Sequence, residues 1–371
     1  IEFYNSELFR YTKTLNKPNV DDFICTDLTK ISWNRNLKDD LRKEVPHVFF
    51  DKRITPALYR PFCKEWAYFS KDMNAMVYQM PRLFPVTNIK NIAIMVCGKG
   101  SRNGFSLFIS DLLVDLNNLE AGTQCFPLYL YEKTEPQPTG NADLFATTDK
   151  PTSTNGYTRK DAISDEGLAH FKKAYPTESF SKEDMFYYIY GLLHSPEYRE
   201  RYADNLTKEL PRIPCVKTAK DFWAYAKAGR NLAELHIHYE TVDCYPVTLI
   251  ETGEVFGDES YYVTKMKFSK ATQDGKSVKD KTSVVYNSYF TMNDIPLEAY
   301  DYIVNGKPAL EWVMERQAVT TDKKSGIVND SNLWATETMG NSKYPLELFQ
   351  KVITVSLETL KIVNNLPKLD I

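Results

Sequence analysis

The chain has 371 residues, 43% of them hydrophobic, with a formal net charge of −3. That length and apolar content support a sizeable core, in two or three domains or one large mixed domain, and exclude a globally disordered chain. No run of about 18 apolar residues occurs, which excludes a membrane-spanning helix, and the slightly acidic balance argues against a generic polyanion binder.

The chain opens on Ile1-Glu2-Phe3-Tyr4, with neither an initiator methionine nor a charged-then-apolar leader. This start reads as that of a segment excised from a longer protein. Residues 1–54 read as helical and connecting. A thin apolar stripe of Leu28, Ile31, Leu37 and Leu41 runs through the polar stretch from Thr26 to Glu44 and ends at Pro46. From residue 55 to 131 the pattern turns to strands. Asn91 to Cys97 is a short apolar run, Gly98 to Gly104 is a glycine-rich turn, and Phe105 to Ile109 returns, which together spell a hairpin. Phe126 to Tyr131 reads as one more strand, and residues 132–160, rich in Pro, Thr, Asn and Gly, as a long loop.

Residues 161–240 read as helices. Ser181 with Asp184 forms a capping box, Ser195-Pro196 opens a second helix and Thr218 with Asp221 a third. Phe222, Tyr225, Gly229, Leu232 and His236 follow helical spacing along the third. Strands return over 245–292. Tyr261 to Phe268 alternates, Lys270 to Lys281 is a polar turn, and Ser283 to Asn287 pairs back. Pro296 and Pro308 each begin a short helix, with Gly306 as the stop between them. Pro345 opens a last helix carrying Leu346, Phe349, Ile353, Leu360 and Val363. The predicted class is α+β: β-rich segments flanking a helical insertion, with a C-terminal helix.

Charge is unevenly placed along this frame. Between Thr55 and Ser110 there are seven cations and only two carboxylates, Glu65 and Asp72; between Asp111 and Lys150 the proportion reverses, with seven carboxylates against Lys133 and Lys150. Such polarity fits one face turned toward a polyanion, and fits equally a solvated surface. The three glycines around Lys99 and Arg102 suit a protruding turn whose cations and amides approach phosphates, or an ordinary hairpin turn. The aromatic cluster of Tyr59, Phe62, Trp66, Tyr68 and Phe69, interleaved with Arg60 and Lys64, suits core packing better than base stacking.

Catalytic patterns are missing from the sequence. No phosphate-binding P-loop, Rossmann fingerprint, zinc-protease helix or nucleophile elbow occurs, nor the Asn-Pro-Pro-Tyr or Asp-Pro-Pro-Tyr tetrapeptide with which amino-methyltransferases hold an extruded base. His236 and His238 invite a metal reading, but no carboxylate–cysteine set supports them, and they read as packed or solvent-facing. The six cysteines, Cys25, Cys63, Cys97, Cys125, Cys215 and Cys244, show no CxxC spacing. They read as reduced thiols of a cytoplasmic protein.

Several strings share a resemblance. Tyr59-Arg-Pro-Phe62 with Trp66-Ala-Tyr-Phe69, Phe126 to Tyr131, Leu193 to Tyr202, Leu210 to Pro214, Ala228 to Leu235, Val304 to Trp312 and Ser325 to Asp330 run in an order that resembles the C-terminal specificity region of Type ISP restriction–modification enzymes. The resemblance implies a target-recognition domain over 56–371, including the helical segment 161–240. Residues 1–55 would then be a connector or the tail of a preceding methyltransferase domain. It also implies double-stranded DNA and that methyltransferase domain as partners. S-adenosylmethionine, ATP and Mg would serve the parent enzyme, an adenine-N6 methyltransferase and ATP-dependent nuclease, with no cofactor and no catalytic residue in this chain. No base contact carries over residue by residue. The candidate DNA contacts are the cations Arg60, Lys64, Lys99, Arg102, Lys265 and Lys267. The competing readings are a stand-alone enzyme with an unrecognised site and a scaffold that docks neighbouring domains through its helices.

Overall fold

The computed structural model describes residues 1–134, 153–254 and 257–371. Its class is the expected α+β mixture: several small sheets on either side of a helical segment, closed by a long C-terminal helix. No helix among the described residues is long and apolar enough to cross a membrane.

At the N-terminus, helices Glu2–Lys13, Val20–Phe23 and Arg35–Arg42 bury a cluster of their own, built from Tyr4, Leu8, Tyr11, Val20, Leu37 and Leu41. The apolar stripe expected from Thr26 becomes helical only at Arg35. Upstream, the Asp27 carboxylate accepts from the amide and hydroxyl of Thr29, a local turn that competes with helix. The helix starts where the Asn34 side chain caps the Leu37 amide. Leu28 is left exposed.

Strand Ile54–Arg60 pairs antiparallel with Cys63–Tyr68 and parallel with Leu113–Val114. The expected hairpin forms, with Ala93–Val96 antiparallel to Leu107–Ser110. Ala93–Val96 is buried along its whole length because Gln124–Pro127 covers its other edge. The single strand expected over Phe126–Tyr131 is two strands in two sheets. Pro127 has no N–H to continue a ladder, and beyond Leu128 the Asn91 side chain takes the place of a neighbouring strand. Its amide donates to the Tyr129 carbonyl and its oxygen accepts from the Tyr129 amide. Tyr129–Lys133 then pairs with Tyr157–Asp161. The long loop expected over 132–160 thus carries strands at both ends, and its middle lies outside the described residues.

The helical segment holds Asp165–Ala174, Lys182–His194, Pro196–Arg201, Ala203–Leu206 and Ala219–Ile237. The Ser181–Asp184 capping box, the Ser195 cap ahead of Pro196 and the Thr218 cap on Asp221 are all in place. Helices Lys182–His194 and Ala219–Ile237 meet at two glycines. A Cβ on Gly229 would lie 1.8 Å from the Tyr187 carbonyl oxygen, and one on Gly191 2.2 Å from that of Tyr225. The two backbones therefore touch, and only glycine permits it.

Two turns beyond Gly229, His236 is buried with both ring nitrogens bonded, to the Tyr190 hydroxyl at 2.7 Å and the Thr359 hydroxyl at 2.8 Å. Its ring stacks on Phe108 and Tyr302. His238 stands half-exposed near Glu234, so the two histidines do not share a site. Helix Tyr344–Asn364 supplies Thr359, and the last residues of the chain cover the helical segment through Tyr225 to the Pro367 carbonyl.

In the second β-rich region the order is Thr248–Glu251, Phe290–Asn293, Lys276–Val285, Lys267–Gln273, all antiparallel. The strand expected over Tyr261–Phe268 starts only at Lys267. Before it, the Asn332 side chain holds both the amide and the carbonyl of Val263, and Lys265 makes a single bridge to Ala318. The polar turn expected over Lys270–Lys281 shrinks to Asp274-Gly275, both with positive φ, and its flanks are strand. Asp-Gly is the dipeptide that a two-residue hairpin turn demands. Gly306 likewise is no helix stop: with Asn305 it turns the small hairpin Ile303–Val304/Lys307–Pro308. The prolines behave as expected, preceding Leu297–Tyr300 and Ala309–Arg316 and sitting in the first turn of Tyr344–Asn364.

Two outcomes follow. Gly229→Ala should destabilise the protein by about 1–3 kcal/mol, because the new methyl forces the helices apart despite alanine's better helix propensity; an unchanged urea midpoint would refute the contact. Burial pushes the His236 ring down to about 3, and His194 well below its usual value. Both rings are neutral when folded and take up protons on unfolding. The stability these two rings contribute is therefore full above about pH 6.5 and falls as pH drops toward about 3, by up to about 1.4 kcal/mol per pH unit for His236. Urea midpoints between about pH 7 and pH 5 check this, with His236→Gln expected to flatten the slope.

Candidate nucleic-acid interface

The Gly98–Gly104 turn projects between the buried strands Ala93–Val96 and Leu107–Ser110. Gly98 is forced to be glycine, since a Cβ would lie 1.8 Å from the Ala121 carbonyl oxygen. The turn is organised by Glu120. Its carboxylate accepts from Arg102 Nε at 2.8 Å, from the Asn103 amide at 2.9 Å and from the Ser101 hydroxyl at 3.1 Å. The Arg102 hydrogen bond, followed by that of the Asn103 amide, holds the carboxyl below the usual range. Asn305 fastens the other side, accepting from the Glu120 amide and donating its own amide to the Ser106 hydroxyl. The Gly98, Gly100 and Asn103 amides are all bonded within the protein, to Glu120 and Thr207. What the turn presents outward is therefore the side chains of Lys99 and Arg102 and not a nest formed by these three amides.

Arg102 is exposed over 91% of its side chain even while it touches Glu120, so it can swing to an anion without opening the core. Lys99 is exposed and has no ion pair among the described residues. Lys265 and Lys267 are exposed too, Lys265 at its bridge to Ala318 and Lys267 at the start of the Lys267–Gln273 strand.

Arg60 and Lys64 are placed differently. Arg60 bonds Asp115 at 2.7 Å and lies over the Tyr59 ring. Lys64 bonds Glu240 at 2.5 Å, and Glu240 also accepts from the Tyr344 hydroxyl. Both cations are largely buried and neutralised by partners distant in sequence, and they tie the Ile54–Arg60/Cys63–Tyr68 hairpin to the rest of the fold. In the aromatic cluster, Phe62 is fully buried, Tyr68 stacks on Phe49, and Trp66 donates its indole N–H to the Thr338 hydroxyl.

A groove of about 910 Å³ runs past Tyr59, Trp66, Phe69 and Tyr78. Its lining has Glu65 and Asp115 but no lysine or arginine, and burial raises the Glu65 carboxyl. A polyanion gains nothing there.

The hairpin Lys267–Gln273/Lys276–Val285 adds Lys270, Lys276 and Lys279, exposed and without an ion pair among the described residues. Sequence reading takes this stretch as a turn. The signal that identifies a ribbon is the Asp274-Gly275 dipeptide centred between two runs of similar length.

Removing the tether at Glu120 should loosen the turn selectively. Glu120→Ala should speed tryptic cleavage after Lys99 and Arg102 in the native protein. Equal cleavage in wild type and variant would show that Glu120 does not organise the turn.

The profile of a protein family described as the Type ISP C-terminal specificity domain matches residues 1–348. Among solved structures the chain is similar over its whole length to a nuclease-deletion mutant of the Type ISP restriction–modification enzyme LlaGI in complex with a DNA substrate mimic, at 33% identity and a TM-score of 0.79. It is also similar to the ATP-dependent Type ISP restriction–modification enzyme LlaBIII bound to DNA, at 32% identity and a TM-score of 0.80, and to a DrdV–DNA complex, at 30% identity and 0.79. It spans 30%, 22% and 33% of those three chains. No curated protein matches.

Proposed function

The chain belongs to the Type ISP C-terminal specificity domain family, and from that premise we propose that it reads DNA sequence on behalf of a larger restriction–modification enzyme. The observation that carries the reading is the set of exposed cations without structural ion pairs, or with an easily released one, on two projecting β-turns: Lys99 and Arg102 on one, and Lys265 and Lys267 at the base of the other. Cations hold phosphates and fix register, while polar side chains beside them read base edges. Arg60 and Lys64 contribute by holding the fold.

The partner in this reading is double-stranded DNA, which is supported by the similar enzymes' having been seen in complex with DNA. Residues 1–55, with their own small core, serve as connector to a methyltransferase domain, and residues 56–371 form the target-recognition domain. Methylation, ATP hydrolysis and cleavage, with S-adenosylmethionine, ATP and Mg, belong to other domains of a cytoplasmic enzyme. The chain's own part is binding.

Equilibrium binding of the full-length protein to duplex DNA tests this. Affinity should fall steeply between about 50 and 200 mM salt. Lys99→Ala and Arg102→Ala should each lower the log–log salt slope by about one if they hold phosphates; if Arg102 instead meets a guanine edge, its loss costs about 1–3 kcal/mol at one base position. Unchanged affinity and specificity in both variants would remove this turn from the interface, and salt-independent binding would remove the reading.

A further inference from the structure

The Lys267–Val285 hairpin is longer than the sheet it belongs to. Phe290–Asn293 pairs with it only at Val284 and Val285, and Lys281 is the last residue tied to the body, through Glu311. Beyond that point the strands continue as a free two-stranded ribbon over five cross-strand pairs, from Ser269↔Asp280 to Gln273↔Lys276. Among the described residues, no side chain from Lys270 to Lys279 makes a hydrogen bond or ion pair; the one cation–ring contact is Lys279 over the Phe268 ring at the ribbon's base.

Directly opposed residues of an antiparallel pair share a face. One face therefore carries Lys270 opposite Lys279 and Thr272 opposite Ser277, all exposed and all polar. The other carries Ala271, Val278, Gln273 and Lys276. Two ammonium groups facing each other across a ladder repel, and no carboxylate bonds either one. Guarding a free edge against aggregation would account for lysines but not for carrying five unsupported pairs away from the sheet.

We propose that this ribbon enters the major groove of the duplex, with Thr272 and Ser277 against base edges and Lys270 and Lys279 on phosphates. The inference rests on the DNA-reading function above and names the element that does the reading. Five pairs at about 3.4 Å extend roughly 17 Å, the rise of roughly five base pairs. A two-stranded ribbon fits a groove about 12 Å wide, and hydroxyls serve there as both donor and acceptor. The like-charge pair acquires its missing counter-ions from the backbone.

The test selects sequences from a pool of random duplexes with the full-length protein and measures salt dependence on the enriched duplex. Lys270→Ala/Lys279→Ala should lower the salt slope by about two and leave the urea midpoint unchanged or raised, since a repulsion is removed. Thr272→Ala/Ser277→Ala should flatten the preference at neighbouring positions of the enriched sequence by about tenfold and leave the rest of it intact. Both variants enriching the wild-type sequence with the wild-type slope would overturn the ribbon's role while leaving DNA reading by the chain standing. A wild-type protein that enriches no sequence would overturn both.

Discussion

Two glycines set the geometry on which the rest of the molecule is built. Gly191 and Gly229 let helices Lys182–His194 and Ala219–Ile237 meet backbone to backbone, and that close crossing brings the Tyr190 hydroxyl within reach of His236. His236 then reaches Thr359 on the last helix and stacks between Phe108 and Tyr302. Tyr190 belongs to the helical core, whereas Phe108 and Tyr302 belong to the β-rich one. The imidazole therefore joins two cores, already built on opposite faces of the strands Ala93–Val96 and Leu107–Ser110, with directional bonds whose loss in a buried site is costly. Phe108 sits in the strand that follows the Gly98–Gly104 turn, so the position of that turn traces back to the helix crossing.

Small sheets need their edges closed, and here asparagine side chains do much of it. Asn91 stands in for a strand beside Tyr129, Asn332 beside Val263, and Asn118 donates to the Leu58 carbonyl. A primary amide carries an N–H donor and an oxygen acceptor on one edge, so it can bond the amide and the carbonyl of one strand residue without adding a strand. The result is a body of short ladders with loops between them, a scaffold on which projecting turns can differ while the interior holds.

The same device explains what the sequence does and does not disclose. Helices were legible because their caps are local: Ser181, Ser195 and Thr218 lie within three residues of the amides they bond. The hairpin around Gly98–Gly104 was legible for the same reason. Strand limits were not, since Pro127 and Asn91 divide one apolar run between two sheets, and Asn332, 69 residues away from Val263, delays a strand that periodicity starts at Tyr261. Cations are the least legible. Nothing near Arg60 or Lys64 announces Asp115, 55 residues on, or Glu240, 176 residues on, and so buried ion pairs and exposed unpaired cations look alike until the fold sorts them.

With that sorting done, Lys99, Arg102 and the lysines of the Lys267–Val285 hairpin stand exposed, while Arg60 and Lys64 are paired within the body. A specificity domain needs this division, because its contacts must change with the sequence read while its core must not. The most direct measurement is a structure of the full-length protein on a duplex that it selects. The account predicts Lys99 and Arg102 beside the DNA backbone and the ribbon tipped by Asp274-Gly275 lying in the major groove. A complex in which both elements face solvent, with the duplex held elsewhere on the domain, would contradict it.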